Sequence, residues 1–182
     1  MMTTRNCRPL MEYSFQKDDN LFLDTNVWLS IFGPHKPGDW RSASYSEAFS
    51  RLLNAGSRIH IDILVVSEFI NTYARIKWKF EGSSFAEFKY FRKSPAFQLI
   101  AQDIVSDLKS ALAHCTWTEH GFSPVNLSTM IDEFAEGYSD FNDLTIAQIC
   151  RSRKFKLITD DADFKDEDVQ ILTANKRLLR GD

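Results

Sequence analysis

The sequence has few of the residues that mark fibrous, linker-rich or disulfide-bonded proteins. Its 182 residues include only 7 glycines, 5 prolines and 3 cysteines. The low glycine and proline content excludes a collagen-like chain or a long flexible linker. Cys7, Cys115 and Cys150 are odd in number, lie far apart and form no CxxC pair. This pattern favours a reducing cytoplasm over a disulfide framework.

Excess positive charge and long apolar segments are also missing. The formal net charge is −3, so a bound nucleic acid would need a local basic patch against a mild overall repulsion. No secretory signal is evident near the N-terminus. The run IHIDILVVSEFI is interrupted by Asp62 and Glu68 and is too short to span a bilayer. The motifs GxxxxGK[ST], GxGxxG and GxSxG do not occur, so a glycine-rich nucleotide cradle and a serine nucleophile elbow are not supported.

The remaining composition is that of an ordinary globular domain, with 43% hydrophobic and 26% charged residues. We interpret residues 1–19 as a loose polar leader and residues 20–182 as one domain. Short apolar runs at 21–24, 58–62, 155–159 and 168–173 predict strands, and 116–124 predicts a short strand and a turn. Helical patterns lie between them. This alternation predicts an α/β fold with a mainly parallel sheet, whose functional groups gather at the carboxyl ends of the strands.

Carboxylates follow two of these predicted strands. Asp24 ends the first strand, and Asp160 and Asp161 follow FKLIT directly, so a parallel sheet would place them at one edge. Asp143 stands at a helix start and Glu68 lies inside a helix. Each residue also has a purely structural interpretation: Asp24 and Asp143 as helix caps, Asp161 as a turn residue, and Glu68 as part of an exposed polar stripe.

Several carboxylates in one pocket repel each other, and burial increases the repulsion. A divalent cation relieves it, and Mg²⁺ and Mn²⁺ both prefer hard oxygen ligands. The four histidines are scattered and none pairs with a cysteine at a zinc-ligand spacing. An acidic Mg²⁺ or Mn²⁺ site most often serves phosphate chemistry, because the metal activates water and neutralises the leaving oxygen.

Four segments together resemble the PIN-domain nucleases, which include the VapC-type toxins of toxin–antitoxin pairs. They occur in the order of that family, as LFLDTNVWL, VVSEFINTYAR, NDLTIAQIC and LITDDADF. The resemblance implies that Asp24, Glu68, Asp143 and Asp161 bind the metal and carry the catalysis. It gives supporting roles to a second set of residues: Thr25, Asn26, Asp140, Thr159 and Asp163. Asp140 and Asp160 are extra acids, either as ligands of a second metal or as solvated side chains.

The resemblance further implies a three-layer α/β/α sandwich and an Mg²⁺- or Mn²⁺-dependent endoribonuclease that hydrolyses phosphodiester bonds in RNA. If the protein is the toxin of a type II pair, an antitoxin protein should occupy the acidic cleft through an arginine or a lysine. Two alternatives stay open. The first is a non-catalytic PIN module that binds RNA or a protein, and the second is a DNA nuclease related to flap endonucleases.

The segment at about 80–120 is longer than the smallest family members need, and we interpret it as a helical insertion rich in basic and aromatic residues. A lid, a homodimer surface and an RNA platform are alternatives for it, beside a solvated basic face over an aromatic core. The basic residues selected as candidates for substrate binding are Arg75, Lys77, Lys79 and Arg151.

Overall fold

The computed structural model describes residues 6–81, 84–119, 124–137 and 139–180. Six strands form one sheet in the order β1-β6-β5-β2-β3-β4, and every neighbouring pair is parallel. The strands are β1 (Cys7–Pro9), β2 (Asn20–Leu23), β3 (Arg58–Ile61), β4 (Cys115–Trp117), β5 (Lys156–Ile158) and β6 (Ile171–Thr173). The predicted α/β class with a parallel sheet is therefore confirmed.

Helices connect the strands and cover both faces of the sheet. They are α1 (Thr25–Phe32), α2 (Trp40–Ala55), α3 (Ile63–Glu81), α4 (Phe88–Phe91), α5 (Pro95–Leu112), α6 (Pro124–Ala135), α7 (Phe141–Arg153) and α8 (Lys176–Arg180). Helices α1, α2, α3 and α5 contact one another in one layer, and α6 packs on α7 in the other. Two 3₁₀ turns lie at Leu10–Glu12 and Ala162–Asp166.

Strand β2 lies inside the sheet, between β5 and β3, and its side chains are apolar on both faces. Leu21, Phe22 and Leu23 are at most 1% exposed, as expected for a strand covered by helices on both sides. Leu23 pairs with Ile158 of β5 in the register. The next residues along these two strands, Asp24 and Thr159, therefore meet at the carboxyl edge.

The strand order reverses between β2 and β5. From β2 the chain moves outward to β3 and β4, and it returns on the other side of β2 as β5. In parallel sheets a ligand-binding crevice forms at such a reversal, outside the carboxyl ends of the two strands. Asp24 follows one of these strands and Asp160 and Asp161 follow the other.

Residues 7–15 are ordered parts of the fold, so the prediction of a loose leader over 1–19 was wrong there. Residues Cys7–Pro9 form β1, which pairs with β6 at the sheet edge, and Leu10 and Phe15 are 0% and 8% exposed. The sequence signal was weak because the strand has three residues and ends in proline, which an edge strand tolerates. Residues 1–5 lie outside the described ranges.

The segment at about 80–120 contains the predicted helices, and Pro95 begins α5 as the expected break. It is more than an insertion, however. Helix α5 packs on α1 and α3, and β4 adds the outermost strand beside β3. This segment therefore supplies one edge of the sheet and part of a helical layer. The turn predicted to follow β4 reaches residues 120–123, which lie outside the described residues.

Candidate active site

Asp24 lies directly beyond β2, is 5% exposed, and begins α1 as its N-cap. Its Oδ1 accepts a hydrogen bond of 2.6 Å from the Thr25 backbone N–H. Its Oδ2 accepts bonds from Asn26 Nδ2 at 2.5 Å and from Thr159 Oγ1 at 2.7 Å. The capping interpretation is thus correct, and the cap is also a buried acid at the strand-order reversal.

Thr159 and Asn26 connect the two sides of this edge. The Thr159 hydroxyl, which is fully buried, also accepts from Asn26 Nδ2 at 3.2 Å and from the Asp161 backbone N–H at 3.0 Å. Asn26 Oδ1 accepts from the Asp160 backbone N–H at 3.0 Å. The residues that follow β2 and β5 are therefore fixed relative to each other by side-chain bonds.

Glu68 reaches the same edge from α3 and Asp143 reaches it from α7. Glu68 is half-buried and its Oε2 accepts a 2.9 Å bond from Thr25 Oγ1. Asp143 lies in the first turn of α7, but it is not the cap. Asp140 is the cap, because its Oδ1 accepts from the backbone N–H groups of Asn142 and Asp143. The capping interpretation of Asp143 was therefore wrong.

Asp161 is the fourth acid at this edge of the sheet and follows β5. It is half-buried and caps the 3₁₀ turn, where its Oδ1 accepts from the Asp163 backbone N–H at 3.0 Å. Asp163 itself is exposed at the rim. The turn interpretation of Asp161 is therefore correct, and the Asp161 backbone N–H also donates to Thr159 Oγ1 at 3.0 Å.

The acids influence one another electrostatically. Burial raises the pKa of Asp24 to about 7, and the charges of Glu68 and Asp161 add to the effect. Burial raises the pKa of Asp143 to about 8, with Asp140, Asp24 and Asp161 contributing. The pKa of Glu68 is also raised, first by burial and then by Asp140 and Asp161. Carboxyl groups from four separate elements therefore share one electrostatic environment.

These oxygens are the ligand type that a hard divalent cation prefers. Within the described residues, no three His, Cys, Asp or Glu side chains already lie in an arrangement that could hold an ion. Carboxylates that repel each other have a physical reason to stay apart when no cation is present, and the oxygens of Asp24 accept bonds from neighbouring donors instead. The donor set fits Mg²⁺ or Mn²⁺ in its chemistry, and binding would require the side chains to converge.

Asp160 is held by a separate group of residues that the sequence did not reveal. Its Oδ2 accepts from Arg41 Nε at 2.6 Å and its Oδ1 accepts from Tyr45 OH at 3.0 Å. Asn175 Nδ2 donates to its backbone carbonyl at 2.6 Å. Both carboxylate oxygens are therefore engaged, which favours a structural role for Asp160. Tyr45 lies in α2, 115 positions from Asp160, so no local sequence pattern connects the two residues.

The four basic candidates for substrate binding lie in two places. Arg75, Lys77 and Lys79 are on α3, where Lys77 pairs with Glu81 at 2.7 Å. Arg151 pairs with Glu167 at 3.3 Å. It lines a groove of about 500 Å³ together with several acidic side chains, so its surroundings repel phosphate. The basic candidates do not form one patch.

The PIN domain family matches residues 21–169. This range runs from β2 through the segment after the second 3₁₀ turn, so it contains all four acids. The chain belongs to the PIN domain family, whose members are in general nucleases. No curated protein matches the chain in sequence.

Among solved structures, the chain is similar to one from the crystal structure of VapBC2 from Rickettsia felis bound to a DNA fragment from their promoter. The TM-score is 0.54 and the identity is 17%, over 86% of this chain and 98% of the other. At this identity the similarity concerns the fold, and it agrees with the α/β/α arrangement. Within the described ranges, no helix combines the length and apolar character that crossing a membrane requires.

Proposed function

We propose that this PIN domain is an endoribonuclease that hydrolyses RNA phosphodiester bonds with Mg²⁺ or Mn²⁺. The metal ligands would be Asp24, Glu68, Asp143 and Asp161. The observation that carries the proposal is that four carboxyl residues from separate elements lie at the carboxyl edge of the sheet, where Thr159 binds Asp24 and Thr25 binds Glu68. The raised pKa of Asp24 and of Asp143, which burial and neighbouring carboxyl groups cause together, supports it. Such a group of acids is costly to the fold on its own, and a bound cation would relieve that cost.

Polar residues around the four acids hold these acids in position. A bound divalent ion supplies charge neutralisation at phosphate oxygens and lowers the pKa of a bound water. Thr159 and Asn26 orient Asp24 through their bonds to Oδ2, and Thr25 orients Glu68. Supporting groups of this kind typically change metal affinity or activity about 10- to 100-fold when they are lost. Asp140 holds the first turn of α7, and with it Asp143.

Cleavage of mixed RNAs in Mn²⁺ or Mg²⁺, beside an Asp24→Asn control, tests the proposal. We expect the wild-type protein to cut within the RNA chain, and we expect the variant and an EDTA-treated sample to be inactive. Asp160→Asn is a matched acid-to-amide control, since its carboxylate is bound to Arg41 and Tyr45. Equal cleavage by wild type and Asp24→Asn, or no cleavage by wild type, would contradict the proposal.

The same assay distinguishes the alternatives. Tight RNA or protein binding without Mn²⁺ binding in a calorimetric titration would indicate a non-catalytic module. Cleavage of single-stranded or branched DNA in preference to RNA would indicate a DNA nuclease. The four intact acids favour catalysis over binding alone, because a binding module has no need to keep them together.

We further propose that the protein is the toxin of a type II toxin–antitoxin pair and acts in the cytoplasm. Support comes from the motif resemblance and from the fold shared with a chain of a VapBC2 structure. An antitoxin side chain of arginine or lysine would neutralise the acidic edge. Inducing the gene should arrest growth, and co-expression of the antitoxin should restore it; harmless expression of an active enzyme would refute this assignment.

A further inference from the structure

One stripe of helix α3 connects the acidic edge with a basic surface. Glu68, Arg75 and Lys79 are separated by seven and four residues, so they project within about 40° of each other around the helix axis. At about 1.5 Å per residue, Arg75 and Lys79 lie about 10 Å and 16 Å along the axis from Glu68. Both basic residues are exposed. The stripe therefore leads from a proposed metal ligand to two accessible cations.

Helix α4 brings a third cation to this stripe. The Arg75 guanidinium lies 5.0 Å from the centre of the Phe88 ring, and the Arg92 guanidinium lies 6.0 Å from the same ring. The Phe88 ring also packs on Trp78, at 5.7 Å between ring centres. These contacts fix the position of α4 beside α3. We call Arg75, Lys79, Phe88 and Arg92 the α3–α4 surface.

Among the described residues, none is an acidic partner of the cations of the α3–α4 surface. In the part of the chain that the structure describes, Lys77 pairs with Glu81, whereas Arg75, Lys79 and Arg92 form no ion pair. Lys79 lies in the last turn of α3, where the helix dipole favours a cation. That effect falls off within one turn, so it does not explain the position of Arg75. It also does not explain why two guanidinium groups lie at the Phe88 ring. Like charges at close range repel, and an anion between them would be attracted.

We propose that the α3–α4 surface binds the phosphate backbone of a single-stranded RNA whose scissile bond lies at Asp24 and Glu68. This inference rests on the proposed ribonuclease function and names the path of its substrate. Arginines bind phosphate through several donors at once. The overall charge of −3 makes such a local surface necessary, because the rest of the protein repels RNA on average.

The test is RNA binding by fluorescence anisotropy in EDTA, which separates binding from cleavage. The probe is a fluorescently labelled single-stranded RNA of mixed sequence, and the variant is Arg75→Glu with Lys79→Glu. Each phosphate contact contributes about 0.7 to the slope of the logarithm of the binding constant against the logarithm of the salt concentration. At 0.1 M salt this corresponds to about fivefold in affinity for each contact. We expect the double variant to bind at least about 25-fold more weakly and its salt slope to fall by about 1.4.

The matched control is Lys17→Glu with Lys109→Glu, since both lysines are exposed and lie outside the α3–α4 surface. It changes the net charge equally, and we expect only a small loss. The single variant Lys79→Glu alters an exposed residue without an ion pair among the described residues, so it reports on binding even if the double variant unfolds. We expect it to bind about fivefold more weakly.

Equal weakening by both double variants would overturn the inference, and so would an unchanged affinity in the α3–α4 variants. A change of oligomeric state with unchanged RNA affinity would also overturn it and would assign the surface to self-association. If the wild type cleaves RNA and the KM of the α3–α4 variants is unchanged, the RNA path is refuted and the ribonuclease function stays intact. Binding through this surface without cleavage in Mn²⁺ or Mg²⁺ would refute the ribonuclease function instead.

Discussion

Replacing Thr159 by valine removes one hydroxyl at the centre of the site and preserves the shape of the side chain. That hydroxyl donates to Asp24 Oδ2 at 2.7 Å and accepts from Asn26 and from the Asp161 backbone N–H. A buried bond to a charged group contributes about 1.5–3 kcal/mol and a neutral one about 1 kcal/mol. We therefore expect Thr159→Val to lower the free energy of unfolding by about 3 kcal/mol when Asp24 is ionised.

Thermal unfolding followed by circular dichroism measures this loss. At about 2–4 °C per kcal/mol for a chain of this size, Tm should fall by about 6–12 °C. Thr159→Ser keeps the hydroxyl and loses one methyl group, which costs about 1 kcal/mol and 2–4 °C. The difference should shrink at pH 5, where Asp24 is protonated, because its pKa is raised to about 7. Equal stability of the two variants at pH 8 would refute the assigned role of Thr159.

Four further outcomes follow from the same geometry. Folding raises the pKa of Asp24 from 3.8 to about 7 and also raises that of Asp143, so the native state binds more protons than the unfolded chain. Metal-free stability should therefore fall from pH 4 to pH 8, by up to about 4 kcal/mol from Asp24 alone; urea unfolding measures this, and a flat profile would contradict it. Tyr45→Phe loses the bond to Asp160 and should cost about 1–2 kcal/mol in the same unfolding assay. Glu68→Gln keeps an acceptor for Thr25 but should weaken Mn²⁺ binding at least about tenfold in calorimetry. Asp160→Asn should leave Mn²⁺ affinity nearly unchanged, and a tenfold loss would make Asp160 a ligand.

The central strands and the positions of Asp24 and Asp161 were predictable because local sequence determines them. The run Leu21 to Leu23 is apolar at consecutive positions, which indicates a strand covered on both faces. Asp24 ends that run, and Asp161 follows Thr159 in the same way after β5. Once the sheet is parallel, these acids must meet at one edge. Glu68 and Asp143 needed the family resemblance, since helical periodicity alone does not assign them to the same crevice.

The features that sequence reasoning missed depend on distant contacts or on very short elements. Strand β1 has three residues and contains Pro9, so it shows neither alternation nor length. Arg41 binds Asp160 across 119 positions of sequence, and no local pattern connects them. Asp140 rather than Asp143 caps α7, although both residue types are suitable caps. Capping propensity does not distinguish Asp140 from Asp143, and the backbone conformation of the turn places Asp140 at the cap.

The central claim is that Asp24, Glu68, Asp143 and Asp161 form one cation site, and calorimetric titration of Mn²⁺ tests it most directly. At pH 7, Asp24 and Asp143 are partly protonated, since their pKa values are raised to about 7 and about 8. A cation that binds to these carboxylates must displace their protons. Titrations in two buffers of different ionisation enthalpy should therefore reveal release of about one proton or more per Mn²⁺ at pH 7 and almost none at pH 9. Asp24→Asn should lose most of the binding. Unaltered Mn²⁺ affinity in Asp24→Asn, or binding without proton release at pH 7, would contradict the account.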